Sequence, residues 1–259
     1  LDKQAVADHI VSWLKGYCEQ AGTKGFVVGI SGGVDSALTS TLCALTGKNV
    51  LLLNMPIRQT TAEYARSCAH IDNMKSRFAN ISGAEINLTS TFSEFEEQMP
   101  FDPQTQHLTM ANARARLRMT TLYALGQANG LLVAGTGNKI EDFGIGFFTK
   151  YGDGGVDLSP IADLTKSDVW QLAAHLGVIE EIVMAKPTDG LWEDGRSDED
   201  QIGASYPELE WAMDFKGDAS ELSQRQQEVL GIYRRLHAAN RHKMLPIPVC
   251  LIPENLKKA

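Results

Sequence analysis

The chain has 259 residues, 43% of them hydrophobic, and carries 24 Lys and Arg against 32 Asp and Glu. The formal net charge of −8 argues against a broad nucleic-acid footprint. No apolar run approaches the ~20 residues that a membrane-spanning helix needs. The length fits one large α/β domain over residues 1–259. The start, Leu1-Asp2-Lys3-Gln4, is charged and does not read as a signal peptide. Cys18, Cys43, Cys68 and Cys250 are scattered, with no C-x-x-C pair. They read as small buried hydrophobes in a reducing cytoplasm.

In chain order, Val6, Ile10, Trp13, Leu14 and Tyr17 recur at helical spacing and predict an amphipathic helix over 3–21. Residues 26–30 are apolar and predict a buried strand. A turn follows over 31–36, then a helix to Thr46, stopped by Gly47. Val50 to Asn54 predicts a second strand, ended by Met55-Pro56. Strand, helix, strand in this order implies a parallel sheet with right-handed crossovers. Thr60 or Thr61 caps a helix to about Phe78. Ile86-Asn87-Leu88 reads as a third strand, and residues 98–110, with two prolines, as a long loop. A helix is expected over 111–129, then a fourth strand over 131–135 and a Gly-rich region over 135–157. A short fifth strand is expected near Asp157 to Ile161. Further helices are expected over 165–176, 179–184, 198–213 and 220–243, with a charged loop from Pro187 to Asp198. The fold class is therefore α/β, an open, mostly parallel five-stranded sheet with helices on both faces. Ligands in such sheets bind at the carboxyl ends of the strands.

The first strand runs directly into Ser31-Gly32-Gly33-Val34-Asp35-Ser36. Strand, Gly-rich turn and helix collect backbone N–H groups around an anion. Gly32 and Gly33 let a phosphate approach the main chain, and Ser31 and Ser36 add hydroxyl donors. A carboxylate beside a phosphate repels it unless a cation intervenes, so Asp35 points to Mg²⁺. The Walker pattern is excluded because no Lys follows the glycines, and the G-x-G-x-x-G fingerprint is absent. An ordinary Gly-Gly turn is the plainer alternative.

Other stretches add candidate chemistry. Asn112-Ala113-Arg114-Ala115-Arg116-Leu117-Arg118-Met119 places arginines on two faces of one helix, either as ligand contacts or as ordinary surface ion pairs. Glu141, after the fourth strand, reads either as a helix-capping acid or as a second Mg²⁺ carboxylate beside Asp35. Phe147-Phe148-Thr149-Lys150-Tyr151-Gly152-Asp153-Gly154-Gly155-Val156-Asp157 combines paired aromatics, a point charge and acceptors. Its alternative is a polar turn with Phe147 and Phe148 in the core.

Taken together, these segments resemble the ammonia-dependent NAD⁺ synthetase family of the ATP pyrophosphatase superfamily. The resemblance rests on residues 29–36, on Asn112, Ala115, Arg116, Arg118 and Met119, and on Gly135, Thr136 and Glu141. It also rests on residues 147–155, on Lys186-Pro187-Thr188 and on His242-Lys243. These pieces span nearly the whole chain in order, and Lys-Tyr-Gly-Asp-Gly-Gly is the most specific. The family fold is Rossmann-like, of the adenine-nucleotide alpha-hydrolase type.

The resemblance implies two steps: adenylation of deamido-NAD (nicotinic acid adenine dinucleotide) by ATP with release of pyrophosphate, then displacement of AMP by ammonia. It assigns Gly29, Ile30, Ser31, Gly32, Gly33, Val34, Asp35, Ser36, Arg58, Thr136, Lys166 and Thr188 to ATP. Asp35 and Glu141 fall to Mg²⁺, and Arg116, Lys150, Asp157, His242 and Lys243 to deamido-NAD. Asp35, Lys166 and Thr188 would act in catalysis. Eight residues, 142–149, separate Glu141 from Lys150, one more than the family pattern.

The acyl-adenylate hydrolyses readily, so a closing lid is expected, with loops 98–110 and 189–198 as candidates. The resemblance also implies a homodimer in the cytoplasm, with the deamido-NAD site at the subunit interface. Without the Cys-His-carboxylate pattern of a glutamine amidase domain, free ammonia is the expected donor. The rivals are a GMP synthetase-like or tRNA-thiolating relative and a non-catalytic ATP-binding relative.

Overall fold

The structure, a computed structural model, describes residues 1–187 and 197–257. Helix α1 (Lys3–Gln20) is capped by Asp2 and buries Ala7, Ile10, Leu14 and Cys18. It leads to strand β1 (Gly25–Gly29), in which Gly25 to Val28 are buried. Helix α2 (Val34–Leu45), strand β2 (Asn49–Asn54), helix α3 (Thr61–Arg77) and strand β3 (Ile81–Glu85) follow. Thr60 caps α3, its hydroxyl accepting from the Glu63 N–H. After α4 (Thr89–Glu97), helix α5 (His107–Asn129) ends at left-handed Gly130 and feeds strand β4 (Leu131–Val133).

The sheet has four strands in the order β3-β2-β1-β4. All pairs are parallel, with Phe26 beside Val50 and Leu132, and Val50 beside Ile81. Parallel strands need crossovers, and the helices between them supply these. One apolar cluster packs α1, α2 and α6 (Lys166–His175) on one face of the sheet around Phe26, Val28, Leu38 and Leu172. Another packs α4 and α5 on the other face around Val27, Leu53, Phe92 and Met110. Among the described residues, no helix is long and apolar enough to cross a membrane.

The expected fifth strand is reduced to a single parallel bridge between Ala134 and Leu158. Two features stop it there. The Asp157 carboxylate, rather than a main-chain carbonyl, accepts from the Val133 N–H at 2.8 Å. Pro160 then removes a ladder donor. The third strand lies at 81–85, before the Ile86–Leu88 segment read from sequence. Its residues are largely exposed edge positions, so it carries no apolar run to read. Ile86 and Leu88 still donate to the Asn54 and Pro56 carbonyls, as a loose extension of the ladder.

The expected helix over 179–184 is α7 (Glu180–Val183), and that over 198–213 is two helices, α8 (Asp198–Ile202) and α9 (Tyr206–Asp214). Gly203 at φ 86 closes the first, and a Ser205/Glu208 capping box opens the second. Helix α5 begins at His107, inside the expected 98–110 loop. Helix α10 (Gln224–Met244) begins at a Ser223/Gln226 capping box.

Beneath the sheet's carboxyl edge, α2 and α3 are joined by a buried polar pair. Ser40 Oγ and His70 Nε2 lie 2.8 Å apart, and His70 Nδ1 has no hydrogen-bond partner. Burial, with a smaller contribution from Arg77, pushes the imidazole down to about 4. The unfolded chain therefore protonates near pH 6.5, before the folded one. His70 leaves stability at its full value above about pH 6.5 and lowers it as pH falls towards 4, by about 3 kcal/mol in all. Urea unfolding at pH 7.5 and 4.5 measures this, with His70→Gln expected to flatten the slope. Equal slopes in the two proteins would assign the effect elsewhere.

Candidate active site

The loop Ile30–Gly33 leaves β1, and Gly33 is the N-cap of α2. No side chain caps that end, so the first-turn N–H groups stay available to an anion. Ser31 and Ser36 hydroxyls lie 3.1 Å apart, and the Gly33 N–H donates to Ser31 Oγ at 3.2 Å. Gly32 has φ 86, and a Cβ there would meet the Glu63 carbonyl oxygen at 2.5 Å. Gly32→Ala therefore combines a left-handed penalty of about 1–2 kcal/mol with a backbone clash costing about 1–3 kcal/mol. A lower melting temperature and a rise of roughly tenfold or more in KM for ATP are the expected results.

The loop borders a cavity of about 690 Å³ at the carboxyl edge of the sheet. That volume lies within the usual range for small-molecule sites. Strand ends at Gly29, Met55 and Ala134, the α5 face Asn112–Ala115–Met119–Leu122, and Phe147 and Phe148 line it.

At its floor Lys166, only 3% exposed, donates to Asp35 Oδ2 at 2.6 Å and to Glu141 Oε1 at 3.0 Å. Its ammonium also lies 4.9 Å from the centre of the Tyr206 ring. The Tyr206 hydroxyl donates to Glu141 Oε1 at 2.5 Å and to Asp198 Oδ2 at 3.2 Å. Asn138, fully buried, donates to Asp35 Oδ1 at 3.0 Å. Its own carbonyl accepts from the Ile140 and Glu141 N–H groups, each at 3.1 Å.

The electrostatics follow from this packing. Burial opposes the Lys166 charge, but Asp35 and Glu141 outweigh it and raise its pKa. Burial also works against Glu141, yet Lys166 and the Tyr206 hydroxyl hold its carboxyl below the usual range. Burial raises Asp35, and the Glu141 charge adds to this against the pull of Lys166. Burial likewise pushes Asp142 up to about 8, with Glu141, Asp153 and Asp35 adding their repulsion.

Glu141 sits in a π-helical turn, Ile140–Ile145, ended by left-handed Gly146. A π-turn absorbs one residue more than an α-turn. Within this wider turn Glu141 still reaches Lys166.

Segment 147–155 forms the opposite wall together with the end of α10. Lys243 Nζ donates to the Phe148 carbonyl at 2.7 Å, and Lys150 Nζ to the His242 carbonyl at 3.0 Å. Thr149 Oγ1 donates to Asn112 Oδ1 at 2.5 Å, and the Thr149 N–H to Asp153 Oδ1 at 2.9 Å. Gly152 packs so closely that a Cβ would lie 2.9 Å from that of Ala115 on α5.

Of the residues expected from sequence, Gly29 to Ser36, Thr136, Glu141, Lys166, His242 and Lys243 line this one cavity. Arg58, Arg116, Lys150 and Asp157 are not among its lining residues. Arg58 pairs with Glu96 at 2.5 Å, and Arg116 donates to the Lys150 carbonyl at 3.3 Å. Asp157 accepts from Tyr123 at 3.0 Å and from the main chain of β4. Thr188 and most of the 189–198 loop lie outside the described residues; Asp198 is described and lines the cavity. In the other expected lid, Leu108 also lines it.

Sequence reasoning assigned no role to Asn138, Tyr206 and Arg66. The Ser205/Glu208 box beside Tyr206 marks the start of α9 and says nothing about where the Tyr206 hydroxyl points.

A parallel sheet with an anion-binding loop at its carboxyl edge, facing a buried Asp–Lys–Glu cluster, defines a phosphate-binding α/β protein of the Rossmann-like class. The NAD synthase family pattern matches residues 6–244, and the chain belongs to that family. An NH₃-dependent NAD⁺ synthetase from Alkaliphilus metalliredigens is 37% identical over 247 residues, covering 93% of this chain and 96% of the relative. Another, from Syntrophomonas wolfei, is 35% identical over 260 residues, covering 99% and 100%. An NMN synthetase from Francisella tularensis matches with TM-score 0.84 at 31% identity, covering 98% of this chain and 99% of that one. An NAD⁺ synthetase from Burkholderia pseudomallei matches with TM-score 0.70 at 26% identity, covering 94% and 90%.

Proposed function

We propose that the protein catalyses ATP-dependent amidation of deamido-NAD by ammonia to give NAD⁺, AMP and pyrophosphate. The observation that carries this reading is the Asp35–Lys166–Glu141 cluster beside the Ser31–Ser36 loop, in a member of the NAD synthase family. In the first step a nicotinate carboxylate oxygen bonds to the α-phosphorus of ATP, and the bond from that phosphorus to pyrophosphate breaks. The N–H groups of the loop and first turn of α2 receive the phosphate charge, and Lys166 adds a cation. Phe147 and Phe148 offer flat apolar surface to the pyridine ring. In the second step the ammonia nitrogen bonds to the acyl carbon, AMP leaves with the bonding electrons, and the nitrogen gives up a proton.

Asp35 and Glu141 fit Mg²⁺. Both offer hard carboxylate oxygens, and both already reach one cation, Lys166 Nζ. Among the described residues no group of three or more His, Cys, Asp or Glu could hold a metal unaided. That suits Mg²⁺, which takes one or two carboxylates together with phosphate oxygens and water. Bound there, the ion would neutralise phosphate charge.

The assay is ATP, deamido-NAD, Mg²⁺ and ammonium, read for NAD⁺, AMP and pyrophosphate. No NAD⁺ at any ammonium concentration would reject the reading. The likeness to the NMN synthetase favours a second one, amidation of the corresponding mononucleotide acid by the same chemistry. Parallel kcat/KM values for dinucleotide and mononucleotide decide between them.

A homodimer is also part of the proposal. The exposed apolar side chains Ile247, Val249 and Leu251, which follow the cavity residues His242 and Lys243, support it. Sedimentation measures the mass. The cysteines, all free, fit residence in a reducing cytoplasm.

A further inference from the structure

The carbonyls of Ile30, Ser31, Gly32 and Gly33 each accept a side-chain donor. The donors are Ser67 Oγ at 3.0 Å, Gln59 Nε2 at 3.1 Å, Arg66 Nε at 3.1 Å and Ser36 Oγ at 3.0 Å. Donors from 59–67 therefore occupy carbonyl oxygens that would otherwise repel a phosphate. Arg66 differs from the others. An amide or hydroxyl suffices to satisfy a carbonyl, whereas a guanidinium brings a full charge.

Arg66 grips Gly32 through Nε, which leaves the terminal nitrogens available, and its side chain lines the cavity. Arg118 repeats the arrangement. It donates through Nε to the Met55 carbonyl at 3.0 Å, just beyond the end of β2, and lines the same cavity. Neither arginine forms an ion pair among the described residues. Glu63 and Asp153 act on Arg118 only at longer range, and burial and Arg114 lower its pKa to about 10, so it stays charged at neutral pH.

We propose that Arg66 and Arg118 form a cationic wall that binds the terminal phosphates of ATP and holds the pyrophosphate as it leaves. This rests on the reading above, in which ATP is cut at the α-phosphate. When the bond between the α-phosphorus and the bridging oxygen breaks, pyrophosphate keeps the electron pair. Its growing charge faces fixed guanidinium donors, so its departure requires no proton.

The test uses the full chain with inorganic pyrophosphate as probe, both as product inhibitor and in direct calorimetric binding. Arg66→Gln retains an amide donor for the Gly32 carbonyl but removes the charge. It is expected to weaken pyrophosphate binding and raise KM for ATP by roughly tenfold each, the worth of one charge-assisted hydrogen bond. KM for the pyridine nucleotide is expected to stay unchanged, and Arg66→Lys to recover part of the loss. A purely positioning role predicts wild-type pyrophosphate affinity in Arg66→Gln, and that result would overturn the proposal. If Arg66→Gln melts early, Arg118→Gln makes the same test at the Met55 carbonyl. Wild-type protein that forms no AMP would remove the functional reading beneath it. Normal turnover with unaltered pyrophosphate affinity in both variants removes only this inference.

Discussion

Lys166→Met is expected to lower kcat for AMP formation by roughly 10³-fold and to destabilise the fold as well. Methionine keeps most of the aliphatic stem without the ammonium, so the loss reports chiefly the missing charge. The stability effect has a specific origin. Asp35 and Glu141 share one ammonium, with N–O distances of 2.6 and 3.0 Å. Removing it leaves two carboxylates facing each other in a poorly solvated floor. Breaking a fully buried pair costs about 3–5 kcal/mol. Here Asp35 and Glu141 retain 17% and 16% exposure towards the cavity, so solvent screening brings the expected loss to about 2–3 kcal/mol. Lys166→Arg does not rescue, because a planar fork does not fit a point-charge niche between two carboxylates and a ring. Steady-state AMP formation and urea unfolding read the two effects separately. A Met variant with more than a tenth of wild-type kcat would remove Lys166 from the adenylation step.

Asp35→Asn is expected to separate chemistry from folding. Lys166 keeps Glu141 as its partner, so the melting temperature should fall less than in Lys166→Met. The adenylation rate should fall by roughly 10²–10³-fold, and the Mg²⁺ concentration needed for half-maximal rate should rise. Geometry adds to the loss. Asp35 accepts from Asn138 at one oxygen and from Lys166 at the other. An Asn side chain carries only one acceptor oxygen, so its amide must point a donor at one of them. Exchange of labelled pyrophosphate into ATP across a Mg²⁺ titration measures both effects. Unimpaired adenylation would show that Asp35 is not a Mg²⁺ ligand.

Much of the fold was legible in the chain because it is written locally. Apolar runs at 26–30 and 50–54 predict buried parallel strands, and both occur. Glycines at 130 and 203 sit at left-handed helix ends, although the spacing around the second also suits a continuous helix. The third strand, Ile81–Glu85, is an exposed edge strand with no hydrophobic pattern to detect. The ladder role of the expected fifth strand falls to the Asp157 side chain, and sequence spacing does not show where a carboxylate turns.

The sequence by itself determined the Ser31–Ser36 loop, the family and many of the polar residues that line the cavity. The strand, the Gly-Gly turn and the helix are contiguous in the chain, so the loop's chemistry can be read in one dimension. Only the tertiary structure decided how the charges are shared. Lys166 was expected to contact ATP, and Asp35 and Glu141 to share Mg²⁺. In the structure the Lys166 ammonium lies between those two carboxylates, an arrangement no local signal predicts, with Tyr206 beneath and Asn138 beside them. The partners are 131 and 25 residues from Lys166 in sequence. Ion pairing over such separations depends on where α6, the π-turn and the first turn of α2 meet. That meeting is set by the packing of the core rather than by any local signal.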